Sequence, residues 1–199
     1  MTANYRSKAS PVRLEAPLGR EALSSLRSGQ EVLLSGQLVA ARDQAHKRLL
    51  ALANSGAPWP FDPRGQIIYY VGPSPAPPGR VIGAAGPTTS GRMDDMTRPF
   101  LERGVKALLG KGRRSPEVLE SLKAHGAVYL AAIGGAGAFY GSRVRESAVL
   151  AWPELGPEAL ASLLVEDFPA IVVHDLLGAD LYRDGPSAWA VPRPRAKGD

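Results

Sequence analysis

Short apolar segments with strand character alternate along this chain with segments of helical periodicity, and that alternation restricts it to an α/β fold. Residues 31–36, 66–72 and 127–133 are apolar runs bounded by turn formers and read as strands. Residues 80–85 read as a further strand, reached through the proline-rich stretch 73–79, where each proline removes a donor and constrains its predecessor. Ala45, Leu49, Leu52 and Ala53 share one face of a helix over about 42–54, stopped at Gly56. Met96, Phe100, Leu101, Val105, Leu108 and Leu109 also recur at helical spacing, so a helix is expected from near Asp94 to Gly110. Ser115-Pro116-Glu117 opens another that closes around His125-Gly126: a capping hydroxyl, a proline in the first turn and an acid near the positive end of the dipole. Residues 17–29 read as a short helix or turn, and the last third as brief apolar runs at 147–152, 165–168 and 170–173. The expectation is one α/β domain over residues 13–190 with a mixed sheet flanked by helices, between flexible arms at 1–12 and 191–199.

A chain of 199 residues is long enough to bury a core of its own. No apolar run approaches the ~20 residues that cross a bilayer, and the N-terminus lacks the apolar stretch of a signal peptide. A cytoplasmic protein without a membrane partner is expected. The sequence contains no cysteine, which excludes disulfides, thiolate catalysis and thiolate-ligated metal within it. With His46, His125 and His174 its three histidines, no metal site is expected. The formal net charge of +5 suits nucleic acid, a small anionic substrate or an acidic protein partner. Nucleic acid is the least favoured, because there is no concentrated basic stripe with interleaved aromatics.

Three segments carry candidate chemistry. In Gly83 to Met93, small residues and a proline lead to Thr88, Thr89 and Arg92 just before a helix. Backbone N–H groups at a helix start, two hydroxyl donors and a guanidinium fork suit a carboxylate or phosphate. A plain strand-to-helix turn, with a threonine cap and a solvated Arg92, fits the same spacing. In residues 41–48, Arg42 and His46 are helical neighbours, and so are Asp43 and Lys47, which are spaced for an ion pair. Cations at the positive end of a helix call for a compensating anion; a solvated charged face is the alternative. Lys111, between Gly110 and Gly112, has backbone freedom to project into a cleft, or else finishes a helix C-terminus.

Taken in order, Ala41-Arg42-Asp43, Ala45-His46-Lys47-Arg48, Gly86-Pro87-Thr88-Thr89, Arg92-Met93-Asp94 and Gly110-Lys111-Gly112 resemble the β subunit of class I iron–sulfur hydro-lyases. That group comprises class I fumarate hydratases and L-tartrate dehydratases. The likeness continues through residues 127–130, 134–136, 154–159 and 165–170. It implies a swivelling β/β/α domain that closes over a [4Fe-4S] cluster ligated by a partner α subunit and not by this chain. It implies reversible hydration of fumarate to L-malate, with L-tartrate dehydration as the alternative; a non-catalytic anion-binding module is the other. By resemblance Arg42, Arg92 and Lys111 bind substrate carboxylates with Thr88 and Thr89, and Thr88 is the catalytic residue. His46 and Asp43 would lie behind them. A β dimer or an α2β2 assembly is implied, with a small dicarboxylate as substrate.

Overall fold

Two long antiparallel strands organise the computed structural model, which describes residues 10–190. In chain order the elements are β1 (Val12–Ala16), α1 (Arg20–Ser24), β2 (Glu31–Ala40), α2 (Asp43–Asn54), β3 (Ile67–Tyr69), a 3-10 turn (Ser90–Met93), α3 (Asp94–Glu102), β4 (Ala107–Gly110) and α4 (Pro116–Ala124). They continue with β5 (Val128–Ala131), α5 (Gly137–Gly141), β6 (Val144–Ala151), a second 3-10 segment (Pro153–Glu158), β7 (Leu160–His174) and α6 (Leu181–Trp189). The expected arms at 1–12 and 191–199 lie almost wholly outside the described residues.

The sheet runs β1-β2-β3-β4-β5-β7-β6, and β2 also pairs with β7. β2, β3, β4 and β5 are parallel neighbours, whereas β7 is antiparallel to both β5 and β2. Strands β2, β3, β4, β5 and β7 therefore close into a ring, which leaves β1 and β6 as the edges. The closure works because β2 and β7 pair with each other and each also serves two further neighbours in succession along its length: β1 and β3 for β2, β6 and β5 for β7. Residues 171–174 of β7 face β5, while its first half faces β6.

Alternate residues of these strands enter two separate cores, as a period-2 ladder requires. Leu34, Tyr69, Leu109, Leu130 and Phe168 pack together on one face. Val39, Ile68, Leu108 and Tyr129 face the other way, onto Leu49 of α2, Phe100 and Leu101 of α3 and Leu122 of α4. A strand buried on both faces loses the polar alternation that marks it in sequence. The α4 start is as expected: Ser115 accepts from the Val118 N–H, with Pro116 in the first turn.

Several sequence expectations are corrected. The helix expected to run to Gly110 stops at Glu102, where Gly104 takes φ +94. Residues 107–110 are instead β4, paired with both β3 and β5. Residues 80–85 form no strand. The Ser74 and Ala84 backbones bond to each other at 3.0 Å, and the Ser74 hydroxyl accepts from the Ala84 N–H at 2.8 Å, which closes the proline-rich loop at its base. The runs at 165–168 and 170–173 belong to one strand, β7, which continues past Pro169. β1 and α6 had no expectation in the sequence.

Candidate functional site

The turn after β2 places Arg42 at the start of α2, and the 3-10 turn brings Arg92 to it. One carboxylate holds both. Asp43 accepts from Arg92 Nε at 3.0 Å on one oxygen; the other accepts from Arg92 Nη2 at 2.9 Å and from Arg42 Nε at 3.0 Å. Glu158 supplies a second anion, with one oxygen 3.3 Å from Arg42 Nη2 and the other accepting the Gln44 N–H at 2.9 Å. The anion called for at this helix start is thus internal: two carboxylates meet the dipole and the cations together. Asp43 pairs with these arginines and not with Lys47. Burial works to raise the Asp43 carboxyl, but the hydrogen bonds from Arg92 and Arg42 outweigh it and hold the group below its ordinary value. Arg42 lies across Gly72, where a side-chain carbon would sit 3.1 Å from both its Cδ and its Nη1.

Thr88, Thr89 and Lys111 meet where the turn before α3 runs beside the end of β4. The Thr88 N–H donates to Tyr70 at 2.7 Å and its carbonyl accepts from the Lys111 N–H at 3.2 Å; the Ser90 N–H donates back to the Lys111 carbonyl at 2.9 Å. Lys111 Nζ donates to the Thr89 hydroxyl at 3.0 Å. No threonine side chain caps this turn, which sets aside the capping alternative. Thr88 is largely buried, and its hydroxyl makes no hydrogen bond among the described residues. Lys111 directly follows a strand and not a helix, so the helix-terminus reading of it also falls.

Beneath these groups lies a buried polar layer that the sequence reading missed. Arg114 has a fully buried side chain; it donates to Asp94 at 2.7 Å, to Thr97 at 2.7 Å and to the Tyr70 hydroxyl at 3.3 Å. Its guanidinium carbon lies 5.3 Å from the ring centres of both Tyr70 and Tyr129. Burial works against the Arg114 charge, but Tyr70 and Asp94 favour it, and the balance raises its pKa. Asp94 also accepts the Ser115 N–H at 2.6 Å. Gly110 is glycine by necessity, since a Cβ there would lie 2.1 Å from the Ser90 hydroxyl and 2.8 Å from the Tyr70 ring. Arg113 and Arg114 are adjacent cations in sequence, and nothing local marks one of them for burial.

His46 does not join the cations. It is fully buried, stacked on Phe100 at 4.4 Å and edge-on to Tyr70 at 5.3 Å, with Nδ1 3.3 Å from the Arg42 carbonyl and Nε2 without a partner. Burial lowers its pKa from 6.5 to about 3, so it is neutral at physiological pH. The sign follows from linkage. The unfolded chain takes up this proton below about pH 6.5 while the folded chain refuses it down to about 3, so stability falls as pH drops through that window. Each pH unit removes about 1.4 kcal/mol. Urea unfolding near pH 7 and near pH 4.5 should show His46→Phe losing about 2–3 kcal/mol less than the wild type. Equal losses would contradict the assignment.

Arg42, Arg92 and Lys111 set three cations against Asp43 and Glu158, an excess of one positive charge beside two threonine hydroxyls. Such a surface can hold a carboxylate-bearing small molecule. It does not fit an iron–sulfur cluster: the chain has no cysteine, and the donors here are cations and hydroxyls. Among the described residues no group of three histidine, aspartate or glutamate side chains is placed to hold a metal. No helix among them is long and apolar enough to cross a membrane.

The Fumarase C-terminus family matches residues 1–185. Fumarate hydratase 2 of Leishmania major is 41% identical over 175 residues, covering 86% of this chain and 31% of that protein. The anaerobic class I fumarate hydratase of Escherichia coli K12 is 36% identical over 163 residues, 81% of this chain and 30% of its own length. A putative L(+)-tartrate dehydratase subunit beta of Methanocaldococcus jannaschii is 36% identical over 173 residues, with 84% of this chain and 89% of that one covered. The chain spans about a third of the length of the curated fumarate hydratases it matches. It belongs to the Fumarase C-terminus family.

Proposed function

We propose that this member of the Fumarase C-terminus family is the β subunit of a [4Fe-4S] hydro-lyase, and that it supplies the carboxylate-binding half of an active site shared with a cluster-bearing α subunit. The observation that carries the reading is the convergence of Arg42 and Arg92 on one carboxylate beside the Thr89–Lys111 contact. The similarity to class I fumarate hydratases favours reversible hydration of fumarate to L-malate. L-tartrate is the second reading, supported by the tartrate dehydratase β subunit that this chain covers over 89% of its length.

On this reading the ring of strands with its outer helices is the swivelling β/β/α domain of the family. The cluster and its Lewis-acid chemistry belong to the partner. This chain's part is to bind and orient. Arg42, Arg92 and Lys111 neutralise the substrate carboxylates, Thr89 holds the Lys111 ammonium, and Thr88 handles the proton at the carbon next to a carboxylate. A threonine hydroxyl is a weak base at its normal pKa. With no acidic side chain bonded to it among the described residues, its activation falls to the partner as well. A cytoplasmic heteromer, α2β2 or built on a β dimer, completes the proposal.

The test is co-expression with the cluster-bearing chain, anaerobic cluster reconstitution, and assay on fumarate, malate and L-tartrate. The pair is expected to turn over one of them and either chain alone none. A pair with a full cluster and no turnover of any of the three contradicts the proposal.

A further inference from the structure

Lys111 sits between two glycines, so its own backbone does little to fix where its ammonium points. Gly112, at φ +84, is held instead from both sides by tyrosines that are distant in sequence. Its carbonyl accepts from the Tyr129 hydroxyl at 2.8 Å, and its N–H donates to the Tyr182 hydroxyl at 3.2 Å. A carbonyl can only accept, so the single Tyr129 proton is committed to Gly112. The Ser90 hydroxyl, 2.9 Å away, must then donate to the Tyr129 oxygen. Tyr129 thus ties the turn that carries Thr88, Thr89 and Arg92 to the segment that carries Lys111. Burial raises the Tyr129 pKa well above that of an ordinary phenol, which keeps the proton in place for this bond. Tyr182 is placed in turn from α6: its N–H donates to Asp180 at 3.0 Å, and its carbonyl accepts from Arg113 at 3.3 Å.

We propose that Tyr129 and Tyr182 are positioning residues for Lys111, clamping Gly112 so that the Lys111 ammonium stays over Thr89. The functional half of this rests on Lys111 being a substrate-binding group. Without the clamp, the glycines let Lys111 leave the Thr89 hydroxyl, and the cation no longer meets the substrate in a fixed place. A cation in the right place binds a carboxylate before the reaction begins, so its loss falls on KM more than on kcat.

The experiment uses the full chain as wild type, Tyr129→Phe and Tyr182→Phe, with two readouts. Tyr182 is half-buried and its variant keeps the ring, so it covers the case in which the Tyr129 change impairs folding. Amide hydrogen exchange at Gly112 is expected to accelerate about tenfold in each variant, with Leu130 of β5 unchanged. In the assembled enzyme, kcat/KM is expected to fall about tenfold, mainly through KM, and Lys111→Ala combined with either change should be no worse than Lys111→Ala alone. Unchanged exchange at Gly112 overturns the clamp, whatever the enzyme does. Additive losses overturn its connection to Lys111. Full activity in Lys111→Ala itself overturns the site reading and the functional half with it, while the exchange data still judge the clamp.

Discussion

Alanine at Arg92 is expected to lower kcat/KM of the assembled enzyme by about 100- to 10,000-fold. A guanidinium bound to a substrate carboxylate contributes about 1.5–3 kcal/mol per charge-assisted hydrogen bond, and the fork makes two. The change also frees the Asp43 carboxylate, which Arg92 holds through both oxygens, to meet the substrate as an uncompensated like charge. Folding should be little affected, because the Arg92 side chain is 48% exposed and such a pair contributes about 0–1 kcal/mol. Arg92→Lys keeps the charge but loses the planar fork, so it should fall between wild type and alanine. Initial rates with the cluster-bearing partner, read beside thermal unfolding of the isolated chain, separate the two effects. Wild-type rates in Arg92→Ala would remove the residue from the site.

The largest expected effect on stability comes from Asp94→Ala. The Arg114 side chain has no exposed surface, and Asp94, 12% exposed, is the carboxylate paired with it. Removing one partner of a buried pair leaves the other charge uncompensated, which costs about 3–5 kcal/mol. The Ser115 N–H, bonded to Asp94 at 2.6 Å, loses its acceptor in the same change. Glu102→Ala is the matched control: it breaks the exposed Arg98–Glu102 pair on α3, worth about 0.3–0.5 kcal/mol. Urea midpoints of the two variants should differ several-fold in their shift from wild type. Similar small shifts would mean that Arg114 is solvated or paired elsewhere.

Local signals carried the α4 boundaries, the core of α2 and the β2, β3 and β5 strands, because a cap, a helical stripe or an apolar run bounded by glycine lies within a few residues of each. The misreading of residues 103–109 as a continuation of α3 has a physical origin. Leu108 and Leu109 fit a helical stripe drawn from Met96, yet a strand buried on both faces is apolar at every position and matches that stripe by accident. Only the ladder partners on β3 and β5 decide the matter, and they are remote in sequence.

The site divides in the same way. Thr88, Thr89, Arg92, Arg42 and Lys111 stood out because glycine, proline, hydroxyls and cations coincide in short segments. Glu158 comes from 114 residues beyond Gln44, to which it bonds, and no spacing rule joins them. Arg114 was hidden for another reason. Whether an arginine in an Arg-Arg pair is solvated or buried depends on Asp94 and Thr97 of α3 and on Tyr70 just after β3, all remote from it in sequence.

The most direct measurement pairs the cluster-bearing chain with a triple variant of this one, Arg42→Ala, Arg92→Ala and Lys111→Ala, and reads the cluster and turnover together. If this chain supplies the anion-binding half of the site and no cluster ligand, the cluster absorbance and paramagnetic signals should match those of the wild-type pair while turnover of the dicarboxylate is lost. Turnover at the wild-type rate, or a cluster lost along with the three cations, would contradict that division of labour.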